Sequence, residues 1–145
     1  MDVHKLVKNT YNKIAVAWNQ KWIDISPFFE PQMKKFINFL PSNGSILDLG
    51  CGAGRDSHYF LDKGFKVVGV DFSKEMINIA RKSKTKTKFL CNDFRNLKFK
   101  KESFDGIWSF FSILHLKRNE LLPLLKKLNS FLKPNGILFI ATKNG

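Results

Sequence analysis

Ile46-Leu47-Asp48-Leu49-Gly50-Cys51-Gly52-Ala53-Gly54-Arg55-Asp56 is the stretch that decides the fold. It reads as a short buried strand, Ser45–Leu49, running through a glycine-rich turn into a helix that Gly64 stops. Such a turn lets a ligand approach the backbone closely and can point amide donors at it. Enzymes that bind dinucleotides need glycine at the first, third and sixth places, and here the sixth place is Arg55. Asp48, two residues before the first glycine, would repel a pyrophosphate but attract an ammonium group, directly or through water. The turn therefore suits a nucleoside carrying an amino acid better than one carrying phosphates.

Strands and helices alternate downstream of this segment. Phe65–Val70 is a second strand leading into Asp71, and Ser73 caps a helix running to about Lys82. Lys88–Cys91 is a third strand, residues 93–103 an irregular link, and Phe104–Phe110 a fourth strand. A helix from near Glu120 to Leu132 is expected to hold Pro123 in its first turn. Pro134-Asn135-Gly136 then turns the chain into a fifth strand, Ile137–Ala141. Upstream, Val3, Leu6, Val7, Tyr11, Ile14, Trp18 and Trp22 recur at helical spacing, and Met33, Phe36, Ile37 and Leu40 mark a second helix. Strands separated by helices demand a parallel sheet covered on both faces, an α/β, Rossmann-like, doubly wound architecture of three layers. Ligands in such sheets sit beyond the carboxyl ends of the strands. Those ends deliver Asp71, which can accept from both ribose hydroxyls. They also deliver Asp93, which can accept from an exocyclic amine, and Ser109 through Ser112.

With 145 residues the chain is expected to be one domain, 1–145, with N-terminal helices over 1–41 and an α/β core over 42–145. The longest apolar stretches are too short to span a bilayer, and no export signal opens the sequence. Cys51 and Cys91 have no metal-ligand spacing, so no metal is expected and a reducing, cytoplasmic setting fits. Net charge is +13, from 25 Lys and Arg against 12 Asp and Glu. The excess is almost all lysine, whereas a nucleic-acid reader favours the planar fork of arginine. Arg81, Lys82, Lys84, Lys86 and Lys88 lie at a helix end on the far edge of the sheet, so nucleic acid is disfavoured as a partner.

Together these residues resemble the class I S-adenosylmethionine-dependent methyltransferases of small-molecule type. The likeness runs from the Tyr11–Trp18 segment to the Leu132–Gly136 turn. It implies strand order 3-2-1-4-5 and S-adenosylmethionine as cofactor. Gly50, Gly52 and Gly54, with Asp48 and Arg55, would hold the methionine part and Asp71 the ribose. Phe72 and Met76 would lie against adenine, Asp93 and the Phe94 amide would read its edge, and Ser109 and Phe110 would flank the methionine. Tyr11 would lie over the cofactor. His115 is the candidate general base for a hydroxyl acceptor. The run Ser109-Phe110-Phe111-Ser112 lacks the proline-rich motif that resembling enzymes use on base or glutamine nitrogens. Methyl transfer to a small molecule by in-line displacement is therefore the expected function. An RNA or protein methyltransferase, and a non-catalytic cofactor-binding or pairing subunit, are the alternatives. The family continues into strands 6 and 7, which this sequence lacks, so either a longer protein or a second copy over the strand-5 edge is expected to cover that edge.

Overall fold

The computed structural model describes residues 2–82 and 87–143, without the side chains of residues 23–26. Lys84 and Lys86, read above as part of the basic cluster, lie outside the described residues. Five parallel strands form one sheet: β1 (Ser45–Leu49), β2 (Lys66–Asp71), β3 (Lys88–Cys91), β4 (Phe104–Phe110) and β5 (Leu132–Ala141), in the order β3-β2-β1-β4-β5. The order reverses at β1, whose Leu47 lies between Val68 of β2 and Ile107 of β4. The helices are α1 (Val3–Ile25), α2 (Glu30–Asn38), α3 (Arg55–Asp62), α4 (Lys74–Arg81) and α5 (Arg118–Phe131).

Both sheet faces are covered, as crossover connections require. On one face Leu47, Leu49 and Ile107 pack against Leu124, Leu128 and Phe131 of α5. On the other Ile46, Val67 and Trp108 meet Met33 and Phe36 of α2 and Phe60 of α3. Because side chains alternate along a strand, Asp48 shares the second face with Ile46, and this decides its surroundings. Ser73 caps α4 as expected, its hydroxyl accepting from the Met76 amide at 3.2 Å. Among the described residues no helix is long and apolar enough to cross a membrane.

Two boundaries differ from the sequence reading in ways that change the reading of a proline. Helix α5 begins at Arg118, so Pro123 lies inside it rather than in its first turn. The Glu120 carboxylate accepts the Lys117 amide at 2.9 Å and fixes the earlier start. Strand β5 begins at Leu132, which pairs with Phe104 before the ladder resumes at Gly106 and Ile137. Pro134-Asn135-Gly136 is thus a bulge within the strand, with Asn135 in the left-handed region at φ 63°.

Candidate cofactor and acceptor site

A cavity of about 330 Å³ opens beyond the carboxyl ends of β1, β2 and β4, where the strand order reverses. Helix α1 roofs it and is pinned at two points. His4 Nε2 lies 3.0 Å from the Glu120 carboxylate on α5, and the Ser73 hydroxyl donates to Asn12 Oδ1 at 2.6 Å. These pins hold Tyr11, Trp18 and Trp22 against the cavity.

The floor is the turn after β1. Gly50 (φ +75°) leaves no room for a side chain, since a Cβ would sit 2.1 Å from Ser112 Cβ. At Gly52 (φ +54°) a Cβ would meet nothing within 4 Å, so this residue presents bare backbone to open space at the cavity wall. Four of the turn's amides do not face a ligand, as the sequence suggested they could. Gly50 and Cys51 both donate to Val70 O, at 2.7 and 2.9 Å, Gly52 to Asp71 Oδ2 at 3.0 Å, and Gly54 to Cys51 O at 3.0 Å. Those four donors are not available to a phosphate.

Asp71 ends β2 on the cavity wall and is only 7% exposed. Its Oδ1 accepts the Ser73 amide at 2.9 Å and its Oδ2 that of Gly52. A carboxylate has about four acceptor sites, so acceptor capacity remains for a ligand. Burial pushes its pKa up to about 6, against the lowering effect of the Ser73, Gly52 and Phe72 amides, so it is ionised at neutral pH. Phe72 and Met76 line the same end.

Asp48 is 2% exposed, accepts the Ser57 hydroxyl at 2.6 Å, and is not part of the cavity lining. Burial first, then the Asp56 carboxylate, pushes its pKa up to about 8. The acid that reaches the cavity from this side is Asp56. It takes the Trp108 indole N–H at 2.8 Å and pairs with Arg55. Cys51 is buried, and burial together with Asp48 holds its thiol protonated, as expected of a small apolar filler.

Asp93 faces a smaller cavity of about 30 Å³ that shares Phe72, Phe94, Ser112 and His115 with the first. The Arg95 guanidinium grips its carboxylate, with Nη2 donating at 2.6 Å, and holds it below the usual carboxylate range. Ser109 is fully buried against Ser112, Oγ to Oγ 2.7 Å, and it is Ser112 and Phe110 that reach the cavity. His115 Nε2 lies 3.2 Å from the Tyr11 hydroxyl. Burial, then His4, lowers the His115 pKa, while burial, then Asp71, raises that of Tyr11. A neutral imidazole and a protonated phenol therefore face the cavity together.

The sequence reading assigned Asp56 no role and placed Trp18 and Trp22 only on the apolar stripe of the first helix; the structure puts all three on the cavity. Phe111, placed near the reacting centre only as part of a run, stands at φ 52° on the cavity wall, a strained conformation for an aromatic residue. Its amide is tied to Ala141 O at 2.9 Å.

A methyltransferase domain model matches residues 46–136, well over half of the chain. The chain belongs to the S-adenosylmethionine-dependent methyltransferases. It is 38% identical over 106 residues to the ubiquinone biosynthesis O-methyltransferase of Pelagibacter ubique, covering 70% of this chain and 43% of that protein. The crystal structure of the PH0226 protein from Pyrococcus horikoshii superposes with a TM-score of 0.74 at 34% identity, covering 82% of this chain and 57% of the other. The 1,6-didemethyltoxoflavin-N1-methyltransferase of Burkholderia thailandensis, solved with bound S-adenosylhomocysteine, shares the fold. Its TM-score is 0.72 at 21% identity, over 90% of this chain and 58% of that one. This methyltransferase chain spans about half the length of the curated relatives it matches. S-adenosylmethionine, the family's cofactor, fits the residues present. Open space stands over Gly52, and a buried anion with unused acceptor sites stands beside apolar Phe72 and Met76. In the turn, the amides of Gly50, Cys51, Gly52 and Gly54 are spent within the protein and are not available to a pyrophosphate.

Proposed function

We propose that this methyltransferase chain transfers the methyl group of S-adenosylmethionine to a small-molecule acceptor by in-line displacement. The observation that carries the reading is a single cavity whose lining brings together Asp71, Phe72 and Met76, the Tyr11–His115 pair beside Phe72, and the aromatic residues Trp18, Trp22, Phe110 and Phe111. Of the 25 lysines and arginines, only Arg55 and Lys143 line it among the described residues, which favours a small molecule over RNA.

When bound, the cofactor supplies a methyl group already activated on a sulfonium. Asp71 would accept from the ribose hydroxyls, and Phe72 and Met76 would cover the adenine, whose edge Asp93 and the Phe94 amide would read. The Gly50–Gly54 turn and Phe110 would hold the methionine part. Displacement on an activated carbon asks the protein mainly to align the acceptor and exclude water. The aromatic side chains of α1 and β4 perform both tasks. For a hydroxyl acceptor, His115 Nε2 would take the proton by exchanging its 3.2 Å contact with the Tyr11 hydroxyl for one with the acceptor, and its lowered pKa keeps the imidazole neutral at neutral pH.

The test incubates the chain with isotopically methyl-labelled S-adenosylmethionine and a metabolite extract, following mass gain of one labelled methyl. A labelled small molecule supports the reading; label found only in RNA or protein overturns it. A second reading is favoured by the chain spanning about half the length of its relatives: it binds the cofactor and turns over only with a further segment or partner. S-adenosylhomocysteine binding without labelled product would support that one.

A further inference from the structure

Helix α1 roofs the cavity with little apolar burial of its own. Among its described side chains only His4 and Ala15 are buried, so apolar packing fixes the helix weakly. Polar contacts carry its placement instead, and that of Asn12 adjoins the cofactor acid. Asn12 Oδ1 accepts the Ser73 hydroxyl at 2.6 Å and the Glu75 amide at 3.4 Å. The Glu75 amide can only donate, which turns the oxygen of Asn12, and not its NH2, toward α4. Helix α4 already has its own cap, since the Ser73 hydroxyl accepts the Met76 amide at 3.2 Å. The oxygen from Asn12 is therefore surplus to starting α4 and serves to tie α1 to it. Ser73 completes the connection, its amide donating to Asp71 Oδ1 at 2.9 Å. Successive residues of a helix point about 100° apart, so Asn12 reaches α4 while Tyr11 overhangs the cavity. The Tyr11 ring meets that of Phe72 edge-on at 5.9 Å, and its hydroxyl lies 3.2 Å from His115 Nε2. Asn12 itself is not part of the cavity lining.

We propose that Asn12 is a positioning residue for the cofactor. By gripping the start of α4 it sets the height and rotation of α1, and so places Tyr11 over the nucleoside beside Phe72. This rests on S-adenosylmethionine as the cofactor, and it adds a residue that acts on binding through Tyr11 without touching the ligand.

The experiment titrates S-adenosylhomocysteine into the unaltered chain, Asn12→Ala, Asn12→Asp, Tyr11→Ala and the double variant Tyr11→Ala/Asn12→Ala. Asn12→Ala should bind tenfold or more weakly. Asn12→Asp keeps an acceptor for both donors and should bind within threefold of the parent. On the Tyr11→Ala background, Asn12→Ala should cost less than a further twofold, because the ring it places is already gone. Hydrogen exchange should show the α1 amides around Tyr11 losing protection in Asn12→Ala while those of α4 and the sheet keep theirs. Unchanged affinity in Asn12→Ala overturns the proposal. So do losses that simply multiply in the double variant, which would make Asn12 a structural residue only, and so does Asn12→Asp binding as weakly as Asn12→Ala. Failure of the unaltered chain to bind S-adenosylhomocysteine would sink the cofactor reading instead. The exchange comparison, read without ligand, would still decide whether Asn12 holds α1 to α4.

Discussion

Replacing Asp71 by asparagine changes two terms that oppose each other in stability and act alone in binding. The Asp71 oxygens accept the Ser73 and Gly52 amides at 2.9 and 3.0 Å, and asparagine keeps only one oxygen. One amide is then left facing an NH2 group, a loss of about 1–3 kcal/mol. Against this, holding a carboxyl at about 6 instead of 3.8 costs the ionised folded chain about 3 kcal/mol, a cost asparagine removes. The sign follows from the raised value: the folded state favours the protonated acid. Its contribution is therefore fully present below 3.8 and lost as pH rises through about 6. Asp71→Asn should accordingly be less stable than the parent near pH 4 and within about 2 kcal/mol of it at pH 7.5. Cofactor binding has no such compensation. Losing the charged acceptor for a sugar hydroxyl should cost about 1.5–3 kcal/mol, roughly ten- to a hundredfold in affinity for S-adenosylhomocysteine. Urea unfolding followed by tryptophan fluorescence at both pH values, with calorimetry at pH 7.5, reads both effects. A folded variant that binds S-adenosylhomocysteine within twofold of the parent would refute the assignment of Asp71 to the sugar.

Gly52→Ala should cost about 1–2 kcal/mol of stability from its φ of +54° alone, since a Cβ there meets no protein atom. Its methyl group should lower S-adenosylhomocysteine affinity more than tenfold, and thermal melting beside calorimetry separates the two effects. For Asp48→Asn the expectation is a flatter pH dependence. With its pKa at about 8, the parent should lose up to about 1.4 kcal/mol of stability per pH unit between pH 7 and 8, where Asp71 has already ionised. Denaturant titrations that show equal slopes in both proteins would contradict the burial of that acid. With a hydroxyl acceptor, His115→Gln should lower kcat about a hundredfold or more and remove the acid limb of the pH–rate profile. That limb should lie below 6.5 in the parent, because burial lowers the histidine pKa.

The five strands were legible because each holds a short, largely apolar run closed by a turn signal, and Ser73 announced the start of α4 by a local hydrogen bond. Pro123 misled, because its place in α5 depends on where Glu120 closes the helix start, three residues earlier. Trp18 and Trp22 fell on the apolar stripe of α1, and periodicity gives a face without saying whether it meets core or cavity. Asp56 stood in the quoted motif, yet its role depends on Trp108, 52 residues away, which no local pattern carries. Asp48 was legible as an acid at the strand's end, but the alternation of β1 turns it to Ser57 and away from the cavity lining. The internal use of the turn's amides was equally hidden, since Val70 and Asp71 accept them across the sheet.

A crystal structure of the chain grown with S-adenosylhomocysteine tests the central claim most directly. The account predicts ribose hydroxyls on the Asp71 carboxylate, adenine against Phe72 and Met76, and the amino-acid end over Gly52. A nucleoside bound with its sugar away from Asp71, or NAD seated with its pyrophosphate on the Gly50–Gly54 turn, would contradict it.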